Sequence, residues 1–168
     1  METPVWALSI AYWLHMLATV LWIGGLTALS IIVLPAAKKV LNPGDFANFL
    51  AAMQKRLDPL GWFSVIVLLA SGMLQMSSSP NYEGLLKIQG IWASSILIKH
   101  ILFAIMVFIS GYITWGLLPA LRRAALLQAR GKDDHNLQSL QNREAFFLRL
   151  NLFLGVLVLL MTAIARST

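Results

Sequence analysis

Hydrophobic residues in this chain do not alternate with polar ones over short stretches. They gather into four long blocks, about Val5 to Ala37, Leu60 to Met76, Gly90 to Leu121 and Phe146 to Ala165. A helix needs roughly 17–25 apolar residues to cross the hydrocarbon of a bilayer, and each block meets that length. Backbone polar groups find no partner in lipid, so a spanning block must satisfy its own hydrogen bonds as a helix. The pattern predicts an all-α integral membrane protein, a four-helix bundle in which residues 1–168 form one membrane domain.

The polar connections carry helical signals of their own. Asn42-Pro43-Gly44-Asp45 offers a cap residue followed by a proline in the first turn, and Phe46, Phe49, Leu50, Met53 and Leu57 then recur at helical spacing. This predicts an amphipathic cytoplasmic helix over about residues 43–57, lying on the membrane surface with Lys55 and Arg56 toward the headgroups. Docking of a partner protein is the other use of such a face. After the third block, Arg122 to Ala129 extends the helix until Gly131, and His135 falls in a solvated loop among Lys132, Asp133, Asp134 and Asn136.

Composition agrees with the pattern: of 168 residues 58% are hydrophobic and 12% charged. The mean hydropathy is +0.74. Only Glu2 is charged in Met1 to Pro4, and the first block is long, so it reads as a retained span rather than a cleaved signal. Lys38, Lys39, Lys55 and Arg56 fill the first connection, and Arg122, Arg123, Arg130, Lys132 and Arg143 the third, with Arg149 at its edge. By the positive-inside rule both termini and the Ser77 to Gln89 loop face away from the cytoplasm. The net charge of +6 then describes topology and contact with anionic lipid, not nucleic acid. Trp6 and Trp92 fall at the outer interface, Trp62 and Trp115 near the inner one.

Inside the apolar blocks a pattern repeats. Trp6, His15, Leu34-Pro35-Ala36 and Lys38-Lys39 are echoed by Trp92, His100, Leu118-Pro119-Ala120 and Arg122-Arg123. Each His lies about 12–14 Å below its leading Trp at 1.5 Å per residue, so both imidazoles sit at one depth. An ionisable or ligating side chain there is costly and points to function. Small residues mark the inward faces: Ala11, Ala18 and Gly25 beside His15, Thr19 and Trp22 in the first span, and Ala93, Ala104 and Gly111 around His100 in the third. Two parallel helix-pair repeats about an axis along the membrane normal would bring the two histidines together.

From His15-Met16-Leu17-Ala18 through Trp22-Ile23-Gly24-Gly25-Leu26 to Val33-Leu34-Pro35-Ala36, the first span resembles the first helix of the copper-resistance protein D family of bacterial membrane proteins. Trp92 through Ile98-Lys99-His100 to Arg122-Arg123 resembles the part of that family with an intramembrane lysine. The resemblance implies copper transport or homeostasis, beside a periplasmic copper-binding partner. A weaker similarity, carried by the types of His15, Trp22 and Lys99, is to the membrane-bound bacterial protoporphyrinogen oxidase, and implies haem b.

The residues leave both cofactors open. With no cysteine in the chain, thiolate sites are excluded. Copper(I) favours imidazole and thioether, and Met16, Met73 and Met76 are the candidate thioethers beside His15 and His100, with Met106 and Met161 also in the spans. Haem b needs an imidazole on each side of the ring and small residues against it, which His15, His100 and Gly155 could supply. Lys99 needs a carbonyl, Asn151, a water-filled cavity or a ligand such as a propionate, because no Asp or Glu lies within a span.

No phosphate-cradling glycine loop, paired intramembrane carboxylates or Ser/His/Asp set is present, and no catalytic group is assigned. The sequence reads as a protein holding a redox metal between its first and third spans, with copper handling the leading function. The alternatives are a b-type haem protein in electron transfer or oxidoreduction, and a structural subunit of a membrane complex, including a homo-oligomer.

Overall fold

The computed structural model describes residues 4–80, 82, 84, 90–130 and 136–167, and every regular element among them is helical. Six α-helices build four rods. The first rod is α1 (Val5–Thr27), a π-helical stretch at Ala28–Val33, and α2 (Leu34–Val40). The second is α3 (Pro43–Ser77). The third is α4 (Gly90–Gly111), a π-helical stretch at Tyr112–Leu117, and α5 (Leu118–Ala129), and the fourth is α6 (Asn136–Ser167). Each rod is long and apolar enough to cross a membrane.

The two π-helical stretches have the same cause. Pro35 and Pro119 stand in the first turn of α2 and α5. A proline gives no N–H to the carbonyl four residues back and its ring crowds that carbonyl, here those of Ile31 and Trp115. Widening the preceding turn to the π form relieves the crowding without ending the rod. The echoed Leu-Pro-Ala motifs therefore produce the same local structure in the first and third spans.

The helix expected over 43–57 forms, but it is the first half of α3 and continues straight into the second span. Asn42 caps it, its Oδ1 accepting from the Asp45 N–H at 3.0 Å. Phe46 and Leu50 are buried among residues of the other rods, so this apolar face is spent on protein rather than on lipid. Pro59 lies inside α3 without dividing it.

α1 packs chiefly along α3, and α4 along α6; contacts of α1 with α6 and of α3 with α5 close the ring. The first and third spans are therefore diagonal partners, and Trp22 reaches across the centre to meet Phe103 edge-on at 5.4 Å. Large apolar side chains such as Ile10, Val20, Phe63, Ile66, Phe108 and Phe153 face outward, as lipid-facing surface must. Hydroxyls on the spans are satisfied within their own helices: Thr19, Thr27, Ser30, Ser64 and Thr162 each donate to the carbonyl four residues back.

Candidate functional site

His15 stands half-buried on α1 against α3, where its Nδ1 lies 2.9 Å from Ser71 Oγ. The Ser71 hydroxyl proton is already given to Val67 O, so Ser71 accepts and His15 Nδ1 must carry the proton. Nε2 is then a lone pair. Gly72 makes room for this ring, since a Cβ there would come within 3.3 Å of His15 Cε1. His100 has its Nδ1 2.6 Å from the Ile96 carbonyl, an acceptor only, so Nδ1 donates and in the neutral ring Nε2 holds the lone pair. A ligating histidine typically donates its other nitrogen to such a partner, which fixes tautomer and ring orientation.

The sequence-predicted residues divide by placement. Trp22 is buried at the centre, and Thr19 is turned back onto His15 O at 2.7 Å. Met16 and Met73 lie on outward faces, each 61% exposed, and are not brought to the imidazoles; Met76 is half-buried near the end of α3. Gly155 packs α6 against α4 and α1: a Cβ would meet Met106 Cε at 3.2 Å and Ile23 Cγ1 at 3.5 Å. Ile23 is eight residues deeper than His15, and Met106 six deeper than His100, so Gly155 lies below the histidine level. The inward face of α4 differs from the small-residue reading, with Ser95 and Met106 buried while Ala104 is exposed.

Two cations accompany His15. Lys99 and Arg166 both act electrostatically on the imidazole, and Arg166 is the charged neighbour of Lys99. Arg166 also lies over the Tyr12 ring at 4.6 Å. Arg166, at the far end of the last block, gave no sequence signal beyond its charge. Ser71 gave none either, because a hydroxyl in an apolar span ordinarily bonds its own helix.

Nearer the basic end a second polar group lies inside the bundle. Gln54 Nε2 donates to Glu144 Oε1, joining α3 to α6, and Asn151 Nδ2 donates to Ser110 Oγ at 2.8 Å, joining α6 to α4. Gln54, Glu144 and Asn151 are almost wholly buried. Sequence reasoning placed Gln54 within a surface helix and offered Asn151 as a partner for Lys99, whereas Asn151 Oδ1 has no hydrogen-bond partner among the described residues, Lys99 included. His135 and Gly131 lie outside the described residues. Among the described residues no three His, Cys, Asp or Glu side chains come together to hold a metal ion.

No curated protein and no solved structure matches the chain. A family model described as Copper resistance protein D matches residues 51–165. The matched stretch takes in α4 with Lys99 and His100, and begins after the span that carries His15.

Proposed function

The chain belongs to the copper resistance protein D family, and from that premise we propose that it handles copper in the cytoplasmic membrane, in transport or homeostasis. The observation that carries the reading is the shared state of His15 and His100. Each donates through Nδ1 within the bundle and keeps Nε2 as a lone pair, the state in which imidazole binds copper. Copper is the cargo of this reading, passing between the first and third spans. The monovalent ion suits this place better than the divalent one, because Lys99 and Arg166 act electrostatically on His15 and repulsion grows with the charge of the ion. A periplasmic copper-binding protein is the partner of this reading, and the basic end of the bundle faces the cytoplasm.

Copper analysis of the purified chain tests it. The parent protein should retain copper, and His15→Ala and His100→Ala should each lose it while His135→Ala does not. Full retention in both single variants overturns the shared site.

One observation favours haem b as the second reading: Lys99 and Arg166 act electrostatically on each other, and cations are the groups that pair with propionates. The packing does not favour it. Gly155, the small residue suited to lie against a ring, is spent on Met106 and Ile23, so the residues present do not form a porphyrin cradle there. An absorption spectrum separates the readings, because a bis-imidazole haem gives sharp visible bands on reduction. Absence of both haem and copper from the parent protein would leave the structural-subunit reading.

A further inference from the structure

Three buried oxygens in the basic half of the bundle have no hydrogen-bond partner among the described residues: Gln54 Oε1, Glu144 Oε2 and Asn151 Oδ1. Two of their residues, Gln54 and Asn151, line a partly open cavity of about 100 Å³, whose other polar walls are Asp58, Ser110 and Thr114 and whose remaining walls, Trp22 among them, are apolar. Buried acceptors without donors are costly, and native interiors almost always supply the donor from protein or ordered water. For Gln54 Oε1 and Asn151 Oδ1 the donor must come from the occupant of the cavity.

An ion bound by all three oxygens does not fit. Glu144 and Asn151 are seven residues apart on α6, roughly 10 Å of helical rise, whereas oxygen–metal bonds are about 2.0–2.6 Å. An apolar ligand supplies no donor at all. Several waters in a file do fit, since the volume far exceeds the roughly 10–15 Å³ that one water requires and polar groups are spaced along its length. The charged groups around it lie toward the basic end. Asp58 is held by Thr114 and faces Arg122, and Glu144 faces Lys38 and Asp58. Beyond Trp22 the interior of the bundle is apolar, with Trp22 edge-on to Phe103 and Met106 fully buried against Gly155.

We propose that this cavity is a water-filled vestibule that brings water and protons from the basic end of the bundle to mid-depth, where Trp22, Phe103 and Met106 stop them short of His15 and His100. Water donates to Gln54 Oε1 and Asn151 Oδ1, and connects Asp58 with Ser110. The proposal does not depend on which cofactor the histidines take.

The chain contains no cysteine, so a single introduced thiol is a unique reporter. Ser110→Cys and Thr114→Cys place that thiol on the cavity wall, and Phe108→Cys places it on the outward face of the same rod, where Phe108 is 79% exposed. Only the thiolate reacts, and it forms only where water reaches. In detergent, with the full chain and size-exclusion profiles as the check on folding, Ser110→Cys and Thr114→Cys should react with aminoethyl methanethiosulfonate faster than Phe108→Cys by on the order of tenfold or more. Reaction at Thr114→Cys alone overturns the reach to mid-depth. Equal, slow reaction at all three positions overturns the vestibule.

Discussion

Ser71 holds His15 in one tautomer across the α1–α3 interface, accepting its Nδ1 proton at 2.9 Å while giving its own to Val67 O. Removing the hydroxyl frees the ring to turn and lets the proton move to Nε2, which abolishes the lone pair that a metal uses. Ser71→Ala should therefore weaken copper(I) binding by roughly 10–100-fold, the usual effect of losing an outer-shell partner. Ser71→Thr keeps a hydroxyl and should recover most of the affinity. Competition with a copper(I) chelator measures both variants; unchanged affinity in Ser71→Ala removes His15 Nε2 from the site.

The contact of Gly155 with Met106 predicts a coupled packing effect. A valine at Gly155 drives its side chain into the Met106 methyl and into Ile23, which lie 3.2 and 3.5 Å from the position of a Cβ. Overpacking of this kind costs about 1–3 kcal/mol, and Gly155→Val should lower the thermal midpoint in detergent. Adding Met106→Ala opens space for the valine and should restore part of the loss. Additive losses in the double variant would show that the two residues do not share the contact.

Long apolar blocks made the four spans legible, because a bilayer demands length and self-satisfied backbone from each one. The inward face of the first span was legible too, with Ala11, Ala18 and Trp22 buried as their spacing predicts. The same reasoning missed the rotation of α4, where Ala104 is outward and Met106 inward. Lipid and bundle interior are alike in polarity, so shape decides the face, and shape belongs to the neighbours as much as to the helix. The fusion of 43–57 with the second span escaped for a related reason. An apolar stripe does not say whether lipid or protein will cover it, and Phe46 and Leu50 are covered by protein. In the candidate site the two histidines stood out by depth, whereas Ser71, Gln54 and Arg166 acquire meaning only from side chains far away in sequence.

Distribution of basic residues predicts which end is cytoplasmic. Lys38, Lys39, Arg122 and Arg123 cluster at one end of the bundle, and Ser77 closes α3 at the other. Ser77→Cys, a unique thiol on an exposed residue, should be labelled from outside intact cells by a membrane-impermeant reagent. Labelling only after permeabilisation would place the basic end outside.

Lys99 and Arg166 divide the two cofactor readings by the sign of one effect. Both cations act electrostatically on His15, so a group bound at that ring meets positive charge. A copper ion is repelled by them, and the repulsion is strongest in a low-dielectric interior. Replacing Lys99 by Met, which keeps the length of the side chain and removes the charge, should leave copper occupancy intact or raise it. A haem carries carboxylates that these cations would pair with, so the same replacement should lower haem content or shift the reduction potential while the size-exclusion profile stays unchanged. Copper and haem content of Lys99→Met, measured beside the parent protein in one detergent, gives the answer. Copper that rises with no haem present supports the copper site, and haem that is present and falls overturns it.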